Sequence, residues 1–302
     1  AYLLQHLLKR TYPLCDLAGN MGISLFSLDR LAAQDPLILE LSSWQLRDLR
    51  MLGVPLNHSG SLLTSLYPDH LEGGYSLDQY IQDKEYLFSQ PGGWSIIPRD
   101  LPYSFRVSRT PLIYPEMINP GIPGLLGETA SLAVSAAEQL GISRTEALKK
   151  MQTFQCRAHR LQLIGTYRGI SWINDSAATI PEAALKAVES IKPDHLIAGG
   201  TDKGLSPEVF SQILSRCTSV HLLSGSFSDK LLHRFPDTFY GPFPAIEQAL
   251  SSVLVHARPG QRVLFSPGAA SFEYFLHAQQ RCDQFINAVK NTIMLNFLDL
   301  IC

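Results

Sequence analysis

The feature that most constrains this chain is the regular return, in its second half, of short apolar runs followed by small-residue turns and helical segments. ISWIND (170–175) reads as a buried strand and PEAALKAVESI (181–191) as a helix with proline in its first turn. HLIAGG (195–200) is the next strand, and SPEVFSQILSRC is a helix capped by Ser206. SVHLLSG (219–225) and RVLFSPG (262–268) are further strands, and a long helix after ASFEYF closes the chain. Strands alternating with helices at this spacing predict a parallel, doubly wound sheet.

The first half is less regular. PLILELSS (36–43) reads as a short strand ending in the carboxylate of Glu40, SLLTSLY as a second strand ahead of PDHL, and WSIIP (94–98) as a third. The proline-rich stretch from Pro98 to Pro123 carries the chain between elements, and a helical pattern returns from Leu125 to about Gln155. This places a domain boundary near 156, with domains at 1–156 and 157–302. A chain of 302 residues is comfortable for two domains. At 45% hydrophobic and 17% charged residues it is globular rather than disordered.

Charge and cysteine usage exclude several classes. A formal charge of −2 provides no basic field for nucleic acid or an anionic membrane. No run of about 18 apolar residues offers a membrane span, and AYLLQHLLKR lacks the basic start of a signal peptide. Cys15, Cys156, Cys217, Cys282 and Cys302 are odd in number and form no CxxC pair. That pattern points to a reducing compartment, the cytoplasm.

Four clusters carry candidate chemistry. Glu40 ends a predicted strand, and Asp69 and His70 follow the next one, on what should be the same sheet edge. A carboxylate and an imidazole there are suited to hold magnesium beside phosphates; a solvated loop histidine and a capping aspartate are the plainer alternative. Arg160 and Asp175 flank a strand, where a guanidinium pairs with phosphate and a carboxylate accepts ribose hydroxyls; a surface arginine and a helix cap serve equally well on these residues alone. GGTDKG brings Lys203 to a strand end with room for close backbone approach, as a carboxylate ligand needs, or forms a tight turn with an exposed lysine. SPGAASFEYF opens a helix at Ser271, an anion-binding end or a simple cap.

The order of LELSSWQL, PDHL, Lys84, HRL, WINDSAAT, GGTDKG and SPGAASF resembles that of the Mur ligases, from residue 1 to the last helix. Within that family it looks like the branch that adds D-glutamate to UDP-N-acetylmuramoyl-L-alanine. The resemblance implies an α/β protein: a central P-loop-type ATPase domain, here incomplete, and a C-terminal Rossmann-like, amino-acid-binding domain, with a site in the cleft between them closed by domain rotation. It implies a monomer using ATP and Mg2+ that phosphorylates a carboxylate, whose acyl phosphate is then attacked by the amine of D-glutamate. It assigns Glu40, His70 and a carbamylated Lys84 to magnesium and catalysis, and Arg160 and Asp175 to the nucleotide. Asn20, with Gly22 beside it, and Ser43 and Gln45 fall to the muramoyl substrate; Thr179, Lys203, Ser271 and the Phe272 amide fall to D-glutamate.

The chain departs from the family pattern in several places. No GxxxxGK[ST] occurs, and Ala1 falls just after where the family has it, so a fragment of a longer enzyme, unable by itself to bind ATP usefully, is expected. PGLLGETA has Gly127 and Ala130 where relatives carry asparagines near adenine. Ala177 replaces a lysine, and Ala278 an aromatic over D-glutamate. Three rivals stay open: another Mur or folylpolyglutamate-type ligase with a different amine, a binding homologue with impaired catalysis, and a nicotinamide-dependent dehydrogenase. The last lacks any GxGxxG.

Overall fold

The computed structural model describes residues 1–28, 35–69, 71, 74–271, 273, 275 and 278–298. They form two units: Ala1–Pro68 with Gly74–Gln155, and Asp69–Gly73 with Cys156–Cys302.

The first unit runs α1 (Tyr2–Leu8), β1 (Asp16–Gly19), β2 (Leu37–Glu40), α2 (Ser43–Met51), β3 (His58–Leu62), α3 (Leu77–Phe88), β4 (Gly92–Ile96), β5 (Leu112–Ile113), α4 (Gly127–Gln139) and α5 (Arg144–Met151). Among the described residues β1 pairs in parallel with β2 alone, while β3, β4 and β5 make a separate parallel sheet. The expectation that Glu40 and the PDHL segment share one sheet edge is corrected by this pairing. SLLTSLY is strand only at its start, because β3 begins at His58 and ends at Leu62. Helices α2 and α3 each open with a capping box, Ser42 with Gln45 and Ser76 with Gln79, in which side chains satisfy the free amides of the first turn. Between these helices the fully buried Asp83 accepts from Arg50 Nε at 2.8 Å and from the Tyr75 hydroxyl. Burial, then the Asp83 bond, push the Tyr75 phenol well above its ordinary range. The small residues of α4 let it lie close to β4, where Ile96, Leu132 and Ala136 form one apolar cluster.

The second unit runs β6 (Gln162–Tyr167), β7 (Ile170–Asn174), α6 (Pro181–Ile191), β8 (His195–Ala198), α7 (Phe210–Leu214), β9 (Ser219–Leu223), α8 (Ser226–Arg234), β10 (Tyr240–Phe243), α9 (Ile246–His256), β11 (Arg262–Phe265) and α10 (Ala278–Leu298). Its sheet has the order β10-β9-β8-β11-β7-β6, parallel except for β6. Strand alternation explains the two covered faces. Trp172, Ile197, Val263 and Phe265 pack with Leu250 and Val253 of α9 and Phe285 of α10, whereas Leu196, Ala198 and Leu264, also buried, point the other way. The doubly wound α/β architecture read from the sequence is therefore present.

Two local readings change. Residues 162–174 hold a hairpin rather than a single strand: β6 turns into β7 through Arg168 and Gly169, both at positive φ, which suits a two-residue turn between antiparallel strands. Helix α7 covers only Phe210–Leu214, and Ser206 does not cap it; its hydroxyl accepts the Glu208 amide in a preceding turn.

At the amino ends of β8 and β9 a buried polar chain crosses to α9. His195 Nε2 meets Gln261 Oε1 at 3.0 Å, His195 Nδ1 meets Ser219 Oγ at 2.7 Å, Ser219 Oγ meets His221 Nε2 at 2.8 Å, and His221 Nδ1 meets Ser252 Oγ at 2.9 Å. The amide oxygen of Gln261 only accepts, so His195 carries its proton on Nε2. In the neutral chain Ser219 then donates to His195, His221 donates from Nε2 to Ser219, and Ser252 donates to His221. Tyr240 stacks on His221 with ring centroids 4.9 Å apart, and His256 lies beside both. Burial, helped by His256 and His195, pulls the His221 imidazole down to about 4.

Candidate active site

Three sequence blocks, beginning at Trp172, Gly199 and Ser266, meet because β7, β11 and β8 are neighbours in the sheet. WINDSAAT leaves the carboxyl end of β7, GGTDKG that of β8, and SPGAASF that of β11, the edge where open α/β sheets bind ligands. Main-chain bonds lace the loops together. Gly199 N donates to Pro267 O at 2.8 Å, Gly268 N to Ala178 O at 3.1 Å, and Thr201 and Ala270 exchange amide bonds at 3.0 and 3.1 Å.

The β6–β7 hairpin puts Arg160 and Asp175 at the same end of adjacent strands, where the single-strand reading had them at opposite ends. Asp175 is buried. Its Oδ2 accepts the Ser266 hydroxyl at 2.7 Å and its Oδ1 the Leu161 amide at 3.2 Å. Burial raises its carboxyl to about 6, against the lowering effects of those two bonds and of Arg160. Arg160 is solvent-exposed.

Lys203 is buried, and its Nζ bonds Asp69 Oδ1 at 2.6 Å. Its side chain is 5% exposed and that of Asp69 26%. The lysine expected to face a ligand carboxylate is thus neutralised by a protein carboxylate, and not the exposed turn lysine of the plainer reading. Ser271 is buried after β11, and its carbonyl accepts the Phe275 amide at 3.0 Å. Regular α10 starts later, at Ala278. Thr179 is half-buried between β7 and α6. Phe272 lies outside the described residues.

In the first unit, Asn20 N donates to Glu40 O at 2.7 Å, bringing those two residues together through the backbone. Gly19 makes the approach possible: its φ is +99°, and an added Cβ would lie 2.2 Å from Glu40 O. The Glu40 side chain is exposed. Ser43 is buried at the start of α2, and Gln45 Oε1 accepts the Ser42 amide at 2.9 Å within the capping box. Lys84 is half-buried on α3, its ammonium 4.9 Å from the centre of the Tyr80 ring. His70 lies outside the described residues, and among those described no three His, Cys, Asp or Glu side chains gather as a metal set. The two positions read as lost asparagines are packed: Ala130 is fully buried, and a Cβ on Gly127 would meet Ile118 O at 2.7 Å.

Sequence reasoning passed over two residues that hold these loops. Glu273 accepts from the Ser226 amide and hydroxyl at 2.9 and 2.6 Å, and its own amide donates to Thr201 Oγ1 at 3.0 Å. Arg281 of α10 is 1% exposed; its Nη1 donates to Ala269 O and Ala270 O, both at 2.9 Å, and its Nη2 to Ser176 O at 3.1 Å. A signal existed for Arg281. The buried stripe Cys282, Phe285, Ala288 and Val289 has helical spacing, and one turn before Phe285 the same face carries an arginine.

Comparison with known proteins adds a family context. A model of the Mur ligase middle domain matches residues 1–112. The chain is similar to the UDP-N-acetylmuramoylalanine–D-glutamate ligase of Borreliella afzelii, 30% identical over 320 residues, 94% of this chain and 70% of that protein. It is also 30% identical over 341 residues to the ligase of the same name from Roseiflexus sp., covering 96% and 72%. Among solved structures, MurF from Acinetobacter baumannii aligns over 94% of this chain and 73% of its own, with a TM-score of 0.67 and 16% identity. A bifunctional folylpolyglutamate synthase/dihydrofolate synthase from Yersinia pestis, complexed with AMPPNP and Mn ion, aligns over 78% and 64%, with a TM-score of 0.55 and 15% identity.

Proposed function

We propose, because this chain belongs to the Mur ligase family, that it serves as an ATP-dependent amide ligase joining D-glutamate to UDP-N-acetylmuramoyl-L-alanine in peptidoglycan precursor synthesis. The observation that carries this reading is the meeting of the WINDSAAT, GGTDKG and SPGAASF loops on the adjacent strands β7, β8 and β11, in a chain 30% identical to ligases of that name. The cytoplasm is the proposed compartment, in keeping with the free thiols of Cys15, Cys156, Cys217 and Cys282. No helix among the described residues is long and apolar enough to cross a membrane.

In this mechanism the γ-phosphoryl group of ATP passes to the substrate carboxylate, releasing ADP. The amine of D-glutamate attacks the acyl phosphate, the C–N bond forms, phosphate leaves, and the amine gives up its proton. The protein's task is positioning and charge neutralisation. Arg160 meets phosphate and Asp175 the ribose hydroxyls; Asp175 is ionised for the most part at neutral pH, since burial raises it only to about 6. Lys203, Ser271 and Thr179, with the Phe272 amide, hold D-glutamate. Asn20, Ser43 and Gln45 lie toward the muramoyl substrate.

Magnesium, when bound, neutralises phosphoryl oxygens. Glu40 fits as a donor, being an exposed carboxylate at a strand end. Lys84 as an ammonium over an aromatic ring does not fit, and its place in a metal site with His70 depends on carbamylation, which turns a cation into an anion.

The test is amine-dependent phosphate release by the natural full-length protein, run with D-glutamate, L-alanine, meso-diaminopimelate and L-glutamate. D-Glutamate should be preferred. Lys203→Ala should raise its KM by up to about a decade, less than the roughly 1.5–3 kcal/mol of a new charge-assisted contact because D-glutamate must displace Asp69 from the ammonium, with the KM for ATP unchanged. Preference for another amine would assign this chain to a different ligase of the family.

A further inference from the structure

Two buried cations stand at the loops that follow β7, β8 and β11. Lys203 is neutralised by Asp69, whereas no carboxylate among the described residues pairs with Arg281. The guanidinium is spent on three main-chain carbonyls: Ala269 and Ala270 in the loop after β11, and Ser176 in the loop after β7. Its Nε is buried with no acceptor. Burial lowers this group to about 10, with only the Cys282 thiol acting in the other direction. A buried charge that lacks a counter-ion is costly, and it favours whatever anion comes near. The tethered carbonyls lie next to the candidate ligand groups: Ala270 directly precedes Ser271, and Ser176 belongs to the same loop as Thr179. Ala270 also carries the two-way amide exchange with Thr201, so the loop bearing Lys203 is tied to the same anchor.

We propose that Arg281 is the positioning residue of the amino-acid pocket: it fixes the loops carrying Thr179 and Ser271 against each other, and its unneutralised charge makes the pocket select a carboxylate over an uncharged amide. This inference rests on the amino-acid-binding reading of these loops given above. A planar guanidinium reaches carbonyls of two loops at once, which a lysine ammonium cannot do in the same geometry. The positive charge then persists after the donors are used, because carbonyl acceptors stabilise it without cancelling it.

The experiment is calorimetric titration of the full-length protein with D-glutamate, D-glutamine and glutarate, comparing wild type, Arg281→Met and Arg281→Lys. In Arg281→Met the dissociation constant for D-glutamate should rise about tenfold or more. The preference for D-glutamate over D-glutamine should shrink by a similar factor, with Mg-ATP binding unchanged. Arg281→Lys should recover part of that preference, since it keeps the charge while losing the double tether. Thermal unfolding establishes that each variant is folded; if the methionine variant is not, the lysine variant decides, by showing a partial loss confined to the charged ligands. Equal weakening of D-glutamate and D-glutamine, or no change in either, overturns the inference while leaving the D-glutamate reading in place. If wild type takes glutarate but not D-glutamate, that reading falls, and the effect of Arg281→Met on glutarate still decides whether Arg281 makes the pocket carboxylate-selective.

Discussion

Acidification should weaken the second unit through His221, in a way that a single substitution isolates. In the folded protein this imidazole is held near 4, against 6.5 when free, by burial among Ser219, Ser252, His195, His256 and Tyr240. Above about pH 6.5 it is neutral whether the chain is folded or not. As pH falls from there to about 4 the unfolded chain takes up a proton that the folded one refuses, so stability declines across that window and is level below it. The difference of 6.5 − 4 = 2.5, at ~1.36 kcal/mol per unit, sets a ceiling of roughly 3.4 kcal/mol. Tyr240, which covers the ring, is itself 42% exposed, so solvent screening brings the expected loss to about 2 kcal/mol. Asp175 acts in the opposite sense. Its carboxyl is raised from 3.8 to about 6, so the folded chain retains a proton the unfolded chain has released, and stability falls as pH rises through the same range. The wild-type profile is therefore muted, and the informative quantity is the difference between wild type and His221→Gln. Urea unfolding followed by far-ultraviolet circular dichroism from pH 4 to 7.5 measures it. The advantage of wild type over the variant should grow by about 2 kcal/mol between pH 4 and 6.5; parallel profiles would refute the reasoning.

Gly19→Ala should destabilise the first unit by at least about 2 kcal/mol in the same unfolding assay, since alanine resists φ of +99° and its Cβ would meet the Glu40 carbonyl at 2.2 Å. An unchanged midpoint would mean that β1 and β2 part readily. Asp83→Asn removes the charge that holds Arg50 and the acceptor of Tyr75. Because the Arg50 left behind is 37% exposed and can be hydrated, the substitution should cost only about 1–2 kcal/mol, the loss of a hydrogen bond to a charged group, with the Tyr75 phenol titrating lower by ultraviolet absorbance than in wild type.

The second unit was legible wherever local signals and final structure coincide. ISWIND, HLIAGG, SVHLLSG and RVLFSPG are apolar runs that end as the buried strands β7, β8, β9 and β11, and the proline-led helix α6 has the expected bounds. YGPF, which forms β10, carries none of that signal: it is a mostly exposed edge strand containing glycine and proline. The separation of β2 from β3 was hidden for a different reason, since pairing partners are set by register and not by the apolarity of either segment. Among candidate site residues, motif order brought the right loops forward, but side-chain commitments were invisible. Asp69, read beside a metal site, bonds Lys203, and Gln45 serves a helix cap. Arg281 was missed because an arginine within a helix is by default a solvent residue.

The place of β11 has a consequence for how the second unit comes into being. Although it follows the other described strands of its sheet in sequence, it lies between β7 and β8, in the middle of that sheet. During synthesis, the β6–β7 hairpin and the β8–β9–β10 group can each form early from neighbouring segments, but they remain two half-sheets with no seam until Arg262–Phe265 emerges. This late strand of the sheet is thus a keystone. Its insertion both joins the halves and delivers the SPGAAS loop between the two loops already waiting, so completion of the sheet and assembly of the pocket are one late, long-range event. A chain cut before Arg262 loses its centre rather than a dispensable edge.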